Sequence, residues 1–264
     1  MKSKYLAYIM CGIILLSFLF LSGCTNDETA DTSLSDVIDK GTLSVGSDIP
    51  YEPMEYYDED GETVIGLDVD VIEYIVDGMG VTLEIVDYDW ADIFDAVKNG
   101  EVDVIISSIT ITSDRSEEML FSTPYIECGQ VILVKEDNAD INSSSNLTGK
   151  KIGVQNGTTS MQEALKYTDE SLVFTYENYT EYDDQGIIFD LKNGTIDAII
   201  TDYLVGAGLI GTDDSLKIVG ERITEEYFGI ATKKGNDALI GEINNIIKEM
   251  QTNGKIQEIE DKWL

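Results

Sequence analysis

Histidine is absent from this 264-residue sequence. Its absence removes Ser-His-Asp and Cys-His nucleophilic catalysis, His-ligated zinc, and the commonest general base. Positive charge is scarce too, with 17 Lys and Arg against 51 Asp and Glu, a formal net charge of -34. Binding a phosphate backbone needs basic patches, so nucleic acid is not an expected partner. The surplus instead implies a strongly solvated surface, as on salt-adapted proteins, and says little about any site. Cysteine is limited to Cys11, Cys24 and Cys128. Of the three prolines, Pro50 and Pro53 share one short stretch. What remains is ordinary for a globular chain: 43% apolar residues and length enough for one large domain or two modest ones with real cores. Nothing in it calls for a cofactor or a metal.

At the N-terminus, Lys2 and Lys4 precede an apolar run from Leu6 to Leu21, which closes in Leu21-Ser22-Gly23-Cys24. A basic start, an apolar core and small residues before a cut make a secretory signal. An uncleaved transmembrane anchor is the alternative, because the run approaches spanning length. The Leu-Ser-Gly-Cys tetrapeptide resembles a lipobox, in which Cys24 becomes the lipidated mature N-terminus. On that reading residues 1–23 are signal peptide and residues 24–34 a polar, lipid-anchored tether. The body then lies outside the cytoplasmic membrane, held to it by lipid. Cys11 leaves with the signal and Cys24 carries lipid, so Cys128 has no disulfide partner and reads as a small buried hydrophobe.

The body alternates strand and helix patterns. A helical turn over Leu34–Lys40 precedes a strand at Thr42–Gly46, and Pro50 and Pro53 then force an extended loop from Ser47 to Met54. Val69, Ile72, Ile75, Val76 and Met79 recur at helical spacing behind Gly66-Leu67-Asp68-Val69-Asp70, whose aspartates read as residues favoured by the helix dipole. Val81–Val86 is a strand, and Trp90 opens onto an amphipathic helix stopped by Asn99-Gly100. The stretch Asp103–Tyr125 follows: a buried strand, Val104-Ile105-Ile106, ends in Ser107-Ser108-Ile109-Thr110. Ser113 or Asp114 then caps a helical turn that places Arg115 just past the strand. Hydroxyls, free backbone amides and one guanidinium suit a planar anion such as a carboxylate. In open α/β sheets ligands sit beyond the carboxyl ends of strands. A lone Arg there is otherwise a surface salt bridge.

Asp103, Ser107, Ser108, Thr110, Thr112, Arg115 and Phe121-Ser122-Thr123-Pro124-Tyr125 closely resemble the central motif of the family 3 extracellular solute-binding proteins, the amino-acid receptors of ABC importers. The likeness runs from about Ser35 to the C-terminus. It implies a two-lobed α/β fold of the periplasmic-binding-protein-like type II kind, each lobe a mixed sheet flanked by helices, with the ligand cleft between lobes. Residues 35–126 would form the first part of lobe 1, residues 127–222 lobe 2, and residues 223–264 the segment returning to lobe 1.

The resemblance also assigns roles. Arg115 would hold the ligand α-carboxylate, helped by the backbone and hydroxyls of Ser108, Thr110 and Thr159, with Ser107 beside them. Asp202 would hold the α-ammonium. It ends the strand Ile196–Thr201, which echoes Val97–Ser107 in its helix, Asn-Gly, strand order; an N-cap for the next helix is the alternative. Tyr51 and Trp90 would wall the ligand side chain, against readings of Tyr51 as surface packing and Trp90 as core. Asp48, a turn cap in the other reading, would meet the distal end of the ligand. Gln155 and the Gly157-Thr158-Thr159 turn would complete the pocket from lobe 2, at a positive helix end.

The expected function is therefore capture of a free polar amino acid, leaning basic, for an ABC permease. A dehydratase-like enzyme on the same fold and a ligand-sensing co-receptor are the competing readings. The lipobox reading is directly testable. Cys24→Ser should abolish lipid attachment, observed as loss of the acyl mass from the mature protein; a variant that still carries lipid overturns it.

Overall fold

The computed structural model describes residues 30–177 and 186–264. The signal peptide with Cys11, the lipobox with Cys24, most of the tether, and the start of the helix expected at Asp183 lie outside the described residues. The body begins with α1 (Ser33–Lys40) and β1 (Thr42–Ser47), whose Leu43 and Val45 are fully buried. The proline loop leads to a small hairpin, β2 (Tyr56–Tyr57) and β3 (Val64–Ile65), and then to α2 (Leu67–Met79). α2 turns Val71, Ile72, Ile75, Val76 and Met79 inward, as their spacing requires. β4 (Thr82–Asp87), α3 (Trp90–Asn99) and β5 (Val104–Ile105) follow. Gly100 ends α3 at φ 77, a left-handed backbone that costs a residue with a Cβ roughly 1–2 kcal/mol.

After β5 come α4 (Ser113–Glu118), β6 (Met119–Phe121) and β7 (Ile126–Cys128). The chain then builds a second sheet from β8 (Gln130–Lys135), β9 (Ile152–Gln155), α5 (Thr159–Ala164) and β10 (Val173–Tyr176). α6 (Ile187–Asn193), β11 (Ala198–Asp202), α7 (Tyr203–Thr212) and β12 (Leu216–Val219) complete it. β13 (Glu226–Phe228) and β14 (Ala231–Lys233) carry the chain back, and α8 (Asp237–Asn253) and α9 (Lys255–Trp263) close it.

Two mixed five-stranded sheets result, ordered β4-β1-β5-β14-β6 and β10-β9-β11-β8-β12. In the first, β1 runs parallel to β4 and β5, while β14 runs antiparallel to β5 and β6. In the second, β9 is parallel to β10 and β11, and β8 is antiparallel to β11 and β12. Register decides what stands at the strand ends. Gly46 lies beside Ile105, so Ser47-Asp48 and Ile106-Ser107 leave the first sheet side by side. Ile199 lies beside Gly153, which brings Asp202 and Gln155 to the same edge of the second. Each lobe thus presents the carboxyl ends of its parallel strands, where α/β sheets hold ligands.

The lobes are joined by a ribbon. β7 leaves the first sheet and β13 returns to it, paired antiparallel with Ile126 opposite Phe228 and Cys128 opposite Glu226. A movement of one lobe against the other must bend both strands together. The return segment expected as a single strand over Tyr227–Thr232 is therefore two: β13 pairs in the ribbon, and β14 joins the first sheet after a break at Gly229-Ile230. Gly229 is needed there, because a Cβ would stand 2.8 Å from the Ile111 side chain.

Two helix starts also differ from expectation. Thr112, rather than Ser113 or Asp114, caps α4, its Oγ1 accepting the Arg115 N–H at 3.2 Å. α5 begins at Thr159, not Met161, because the Thr158 hydroxyl caps it by accepting the Met161 N–H.

The core of the first lobe includes Val45, Ile72, Ile75, Val104, Ile243, Ile247 and Met250, and that of the second Ile132, Val134, Ile152, Val154 and Ile200. α9 is pinned to the first lobe by Trp263, which meets the Tyr56 ring edge-on at 6.0 Å and donates Nε1–H to Asp70 at 2.8 Å.

Around these cores the surface carries the excess of acidic charge. Self-repulsion destabilises a compact state, and salt screens it, shortening the Debye length from roughly 30 Å at 0.01 M to roughly 3 Å at 1 M. The melting temperature should therefore rise by several degrees between low salt and 1 M NaCl, and equally with KCl. A flat or falling Tm in a scanning calorimeter contradicts this.

Candidate functional site

The eleven residues expected at the site line one cavity, with an empty volume of about 320 Å³. They arrive from both lobes. β1 delivers Asp48 and the loop that carries Tyr51, α3 delivers Trp90, and the segment after β5 delivers Ser107, Ser108 and Thr110. Arg115 rises from the first turn of α4. From the other side come Gln155 at the end of β9, Thr158 and Thr159 at the start of α5, and Asp202 at the end of β11.

The positive group is Arg115. Its Nη1 donates to the Thr110 carbonyl at 2.9 Å, and its guanidinium lies over the rings of Trp90, at 5.3 Å, and Phe94, at 4.9 Å. The rings and the carbonyl fix the plane of the fork, a role Lys could not fill. Burial lowers its pKa to about 10, opposed by the negative charges of Asp202 and Glu226. It remains a cation at any physiological pH. A surface salt bridge is thus not its role.

The negative groups are held by hydrogen bonds. Asp202 is 8% exposed and accepts from the Tyr51 hydroxyl at 2.7 Å and from Gln130 Nε2 at 2.7 Å. It occupies the N-cap position of α7, yet its side chain makes no capping bond and turns to the cleft instead. Burial pushes its pKa up to about 7, against the bond from Tyr51. Asp48 accepts from Gln155 Nε2 at 3.1 Å, and burial first, then repulsion from Asp87 and Asp89, lift it to about 7. Both carboxyls are poised to lose a proton when a cation comes to them.

Three links cross the cleft directly: Tyr51 to Asp202, Gln155 to Asp48, and Trp90 Nε1 to the Gly157 carbonyl at 3.4 Å. Trp90 settles between its two readings, since it lines the cavity and also packs edge-on against Phe94 at 4.9 Å. Tyr51 is buried rather than lying on the surface.

Several functional positions escaped sequence reasoning. Glu226, at the start of β13, accepts from Thr110 Oγ1 and Thr159 Oγ1 at 2.9 Å each, and from Gln130 Nε2 at 3.4 Å. It binds a hydroxyl from each lobe at the base of the ribbon. The isolated bridge between Thr110 and Phe228 brings that hydroxyl within reach. Gln130, whose side chain also accepts from Ser160, was legible only as the first residue of a strand. Asp68 is more than a residue favoured by the helix dipole. It is wholly buried and accepts the Ser108 N–H at 2.7 Å and the Tyr125 hydroxyl at 2.8 Å. Its bond holds Ser108 at φ 49, a left-handed backbone without glycine. Glu55 accepts the Ser107 hydroxyl from below. Among the described residues no cluster of His, Cys, Asp and Glu could hold a metal ion.

Comparison with known proteins places this geometry. The sequence model of the bacterial extracellular solute-binding proteins, family 3, matches residues 43–264. The L-cystine-binding protein TcyJ of Escherichia coli (strain K12) is 32% identical over 252 residues, covering 94% of this chain and 92% of that protein. An arginine-binding periplasmic protein of Mannheimia haemolytica is 34% identical over 219 residues, covering 81% and 87%. Among solved structures, an ancestral arginine-binding protein, known bound to arginine and bound to glutamine, superposes with a TM-score of 0.77 at 37% identity, covering 85% of this chain and 98% of that one.

Proposed function

Since the chain belongs to the bacterial extracellular solute-binding proteins of family 3, we propose that it captures a free polar amino acid, preferably a basic one, by closing its lobes, and presents it to an ABC permease. It is the substrate-binding component of an amino-acid importer and works outside the cytoplasm. Lipid on Cys24 would keep it beside its permease. The observation that carries this reading is a fixed cation and a fixed anion facing one small cavity, Arg115 and Asp202, each close enough to move the other's titration. That pair is the complement of an amino-acid zwitterion.

In this reading Arg115 takes the α-carboxylate with the amides and hydroxyls of Ser108, Thr110 and Thr159, and Ser107 and Thr158 shape the floor. Asp202 takes the α-ammonium, while Tyr51 and Trp90 flank the ligand side chain. Asp48 and Gln155 lie at its far end. Asp48, Asp202 and Glu226 oppose Arg115 alone, so the cavity favours a ligand with surplus positive charge. A second carboxylate beside Asp48 would be a like-charge pair out of water, which disfavours glutamate and aspartate. The ancestral relative known with arginine and with glutamine supports those two as the leading candidates. Holding a molecule between fixed charges is binding chemistry, as the family's name states.

Two measurements test this. Removing one partner of a desolvated charge pair costs roughly 2–5 kcal/mol. Arg115→Ala should therefore weaken binding more than tenfold by calorimetry while the fold survives; near-normal affinity dismisses the carboxylate site.

In a thermal-shift panel of amino acids that includes cystine, basic ones should give the largest rise in Tm and glutamate almost none. A cation favours the ionised form of Asp48, so its bound pKa lies below the free value of about 7. Affinity must then fall as pH drops from 8 to 6, more for arginine, which meets Asp48 and Asp202, than for glutamine, which lacks the charge for Asp48. A dominant response to glutamate or to a branched apolar amino acid places the ligand side chain elsewhere.

A further inference from the structure

Beneath the cavity lies a carboxyl group that the proposed binding chemistry leaves unexplained. Glu55 has no exposed surface, and its Oε2 has no hydrogen-bond partner among the described residues. Its Oε1 accepts the Ser107 hydroxyl, and Ser107 Oγ in turn accepts the Asp48 N–H at 3.0 Å. Asp68, equally buried, is its neighbour, and both of that residue's oxygens are engaged. Oδ2 takes the Ser108 N–H and Oδ1 the Tyr125 hydroxyl. Two adjacent carboxyl groups shut away from water do not both ionise. One proton stays on the pair, and Glu55 Oε2 is the oxygen with no other bond to make.

We propose that Glu55 is a neutral, proton-carrying positioning residue: its Oε2–H faces the Asp68 carboxylate, its Oε1 fixes the Ser107 hydroxyl, and the pair together sets the Ser107-Ser108 backbone under the cavity. The assignment accounts for the otherwise orphaned oxygen. It also explains how Ser108 keeps a left-handed backbone, since an anion at Asp68 grips its N–H, and that anion persists because its neighbour holds the proton. The electrostatic surroundings agree in direction. Burial, then the charge of Asp68, push Glu55 well above the ordinary carboxyl range, while Asp68 is raised less, to about 6, because Ser108 and Tyr125 donate to it.

The other titratable groups facing the pair are Asp48, from the loop after β1, and Tyr125, with Cys128 beside it. Tyr125 is pushed well above 10 by burial and Cys128 to about 12, so neither titrates in the range used below. Asp48 does titrate there, but equally in the wild type and in a Glu55 variant, so it cancels in their difference.

The test is urea unfolding of the mature chain without ligand. A carboxyl with a raised native pKa contributes stability that is full below its unfolded value, about 4.3, and is lost as pH rises through the native one. Glu55→Gln keeps the shape and the donor but cannot ionise. It should match the wild type at or below about pH 4.3, and between pH 5.5 and 7.5 its advantage in unfolding constant should grow about tenfold per pH unit, the signature of one proton. Asp68→Asn, which removes the anion, should raise the unfolding constant at least tenfold already at pH 5.5. A Glu55→Gln to wild-type ratio constant across pH shows that the native pair holds no proton. A harmless Asp68→Asn with a damaged Glu55→Gln at pH 5.5 puts the proton on Asp68. Either result overturns the proposal.

The consequence for binding rests on the amino-acid reading and is measured separately. With arginine as probe, Glu55→Gln should stay within about threefold of wild type and Glu55→Ala should lose at least tenfold. Equal loss in both overturns the positioning role. Should Glu55→Ala not fold, the Gln variant alone decides. If arginine fails to bind the wild type, the ligand assignment falls, and the unfolding experiment still stands.

Discussion

The site is governed by one constraint: several carboxyl groups, three of them buried, gather around one small cavity that holds a single guanidinium. Asp202, Glu226, Asp48, Glu55 and Asp68 all stand within or just behind one small cavity, and only Arg115 opposes them. An ionised carboxylate in such surroundings is tolerable only when donors converge on it. Much of the polar architecture is the answer to that need. Tyr51 and Gln130 serve Asp202; Thr110, Thr159 and Gln130 serve Glu226; Gln155 serves Asp48; Ser108 and Tyr125 serve Asp68. For Asp202, Asp48 and Asp68 these donors hold down a pKa that burial raises.

The same donors connect the lobes. Tyr51 reaches Asp202 across the cleft, Gln155 reaches Asp48 in the other direction, and Glu226 gathers a hydroxyl from each side. These cross-cleft bonds therefore bring carboxyls of both lobes to one cavity. The β7–β13 ribbon is the segment that both lobes share.

The large acidic surplus plays a different part. Its charges lie mostly on the outside, where salt screens them, and they steer ligands only weakly. The cavity's preference arises from a handful of buried groups whose interactions are much less screened.

The alternation of strands and helices could be read directly from the sequence, because it rests on local rules, while the two-lobed arrangement was what the family resemblance implied. Apolar spacing marked α2, Asn-Gly pairs marked where α3 and α6 stop, and β-branched runs marked β8 and β11. The eleven cavity residues were named through the resemblance to the family motif, which falls at strand ends and helix starts. Glu226, Gln130 and Glu55 carried no such signal. Glu226 becomes a site residue only because β13 pairs with β7, and Glu55 only because a loop folds it onto Asp68, which a helix start had made look like an ordinary dipole partner. Local sequence determines where strands end and helices begin, through periodicity and turn chemistry. Tertiary structure alone decides which carboxyls share a low-dielectric space, and so which keep their protons, because that depends on distances between segments far apart in the chain.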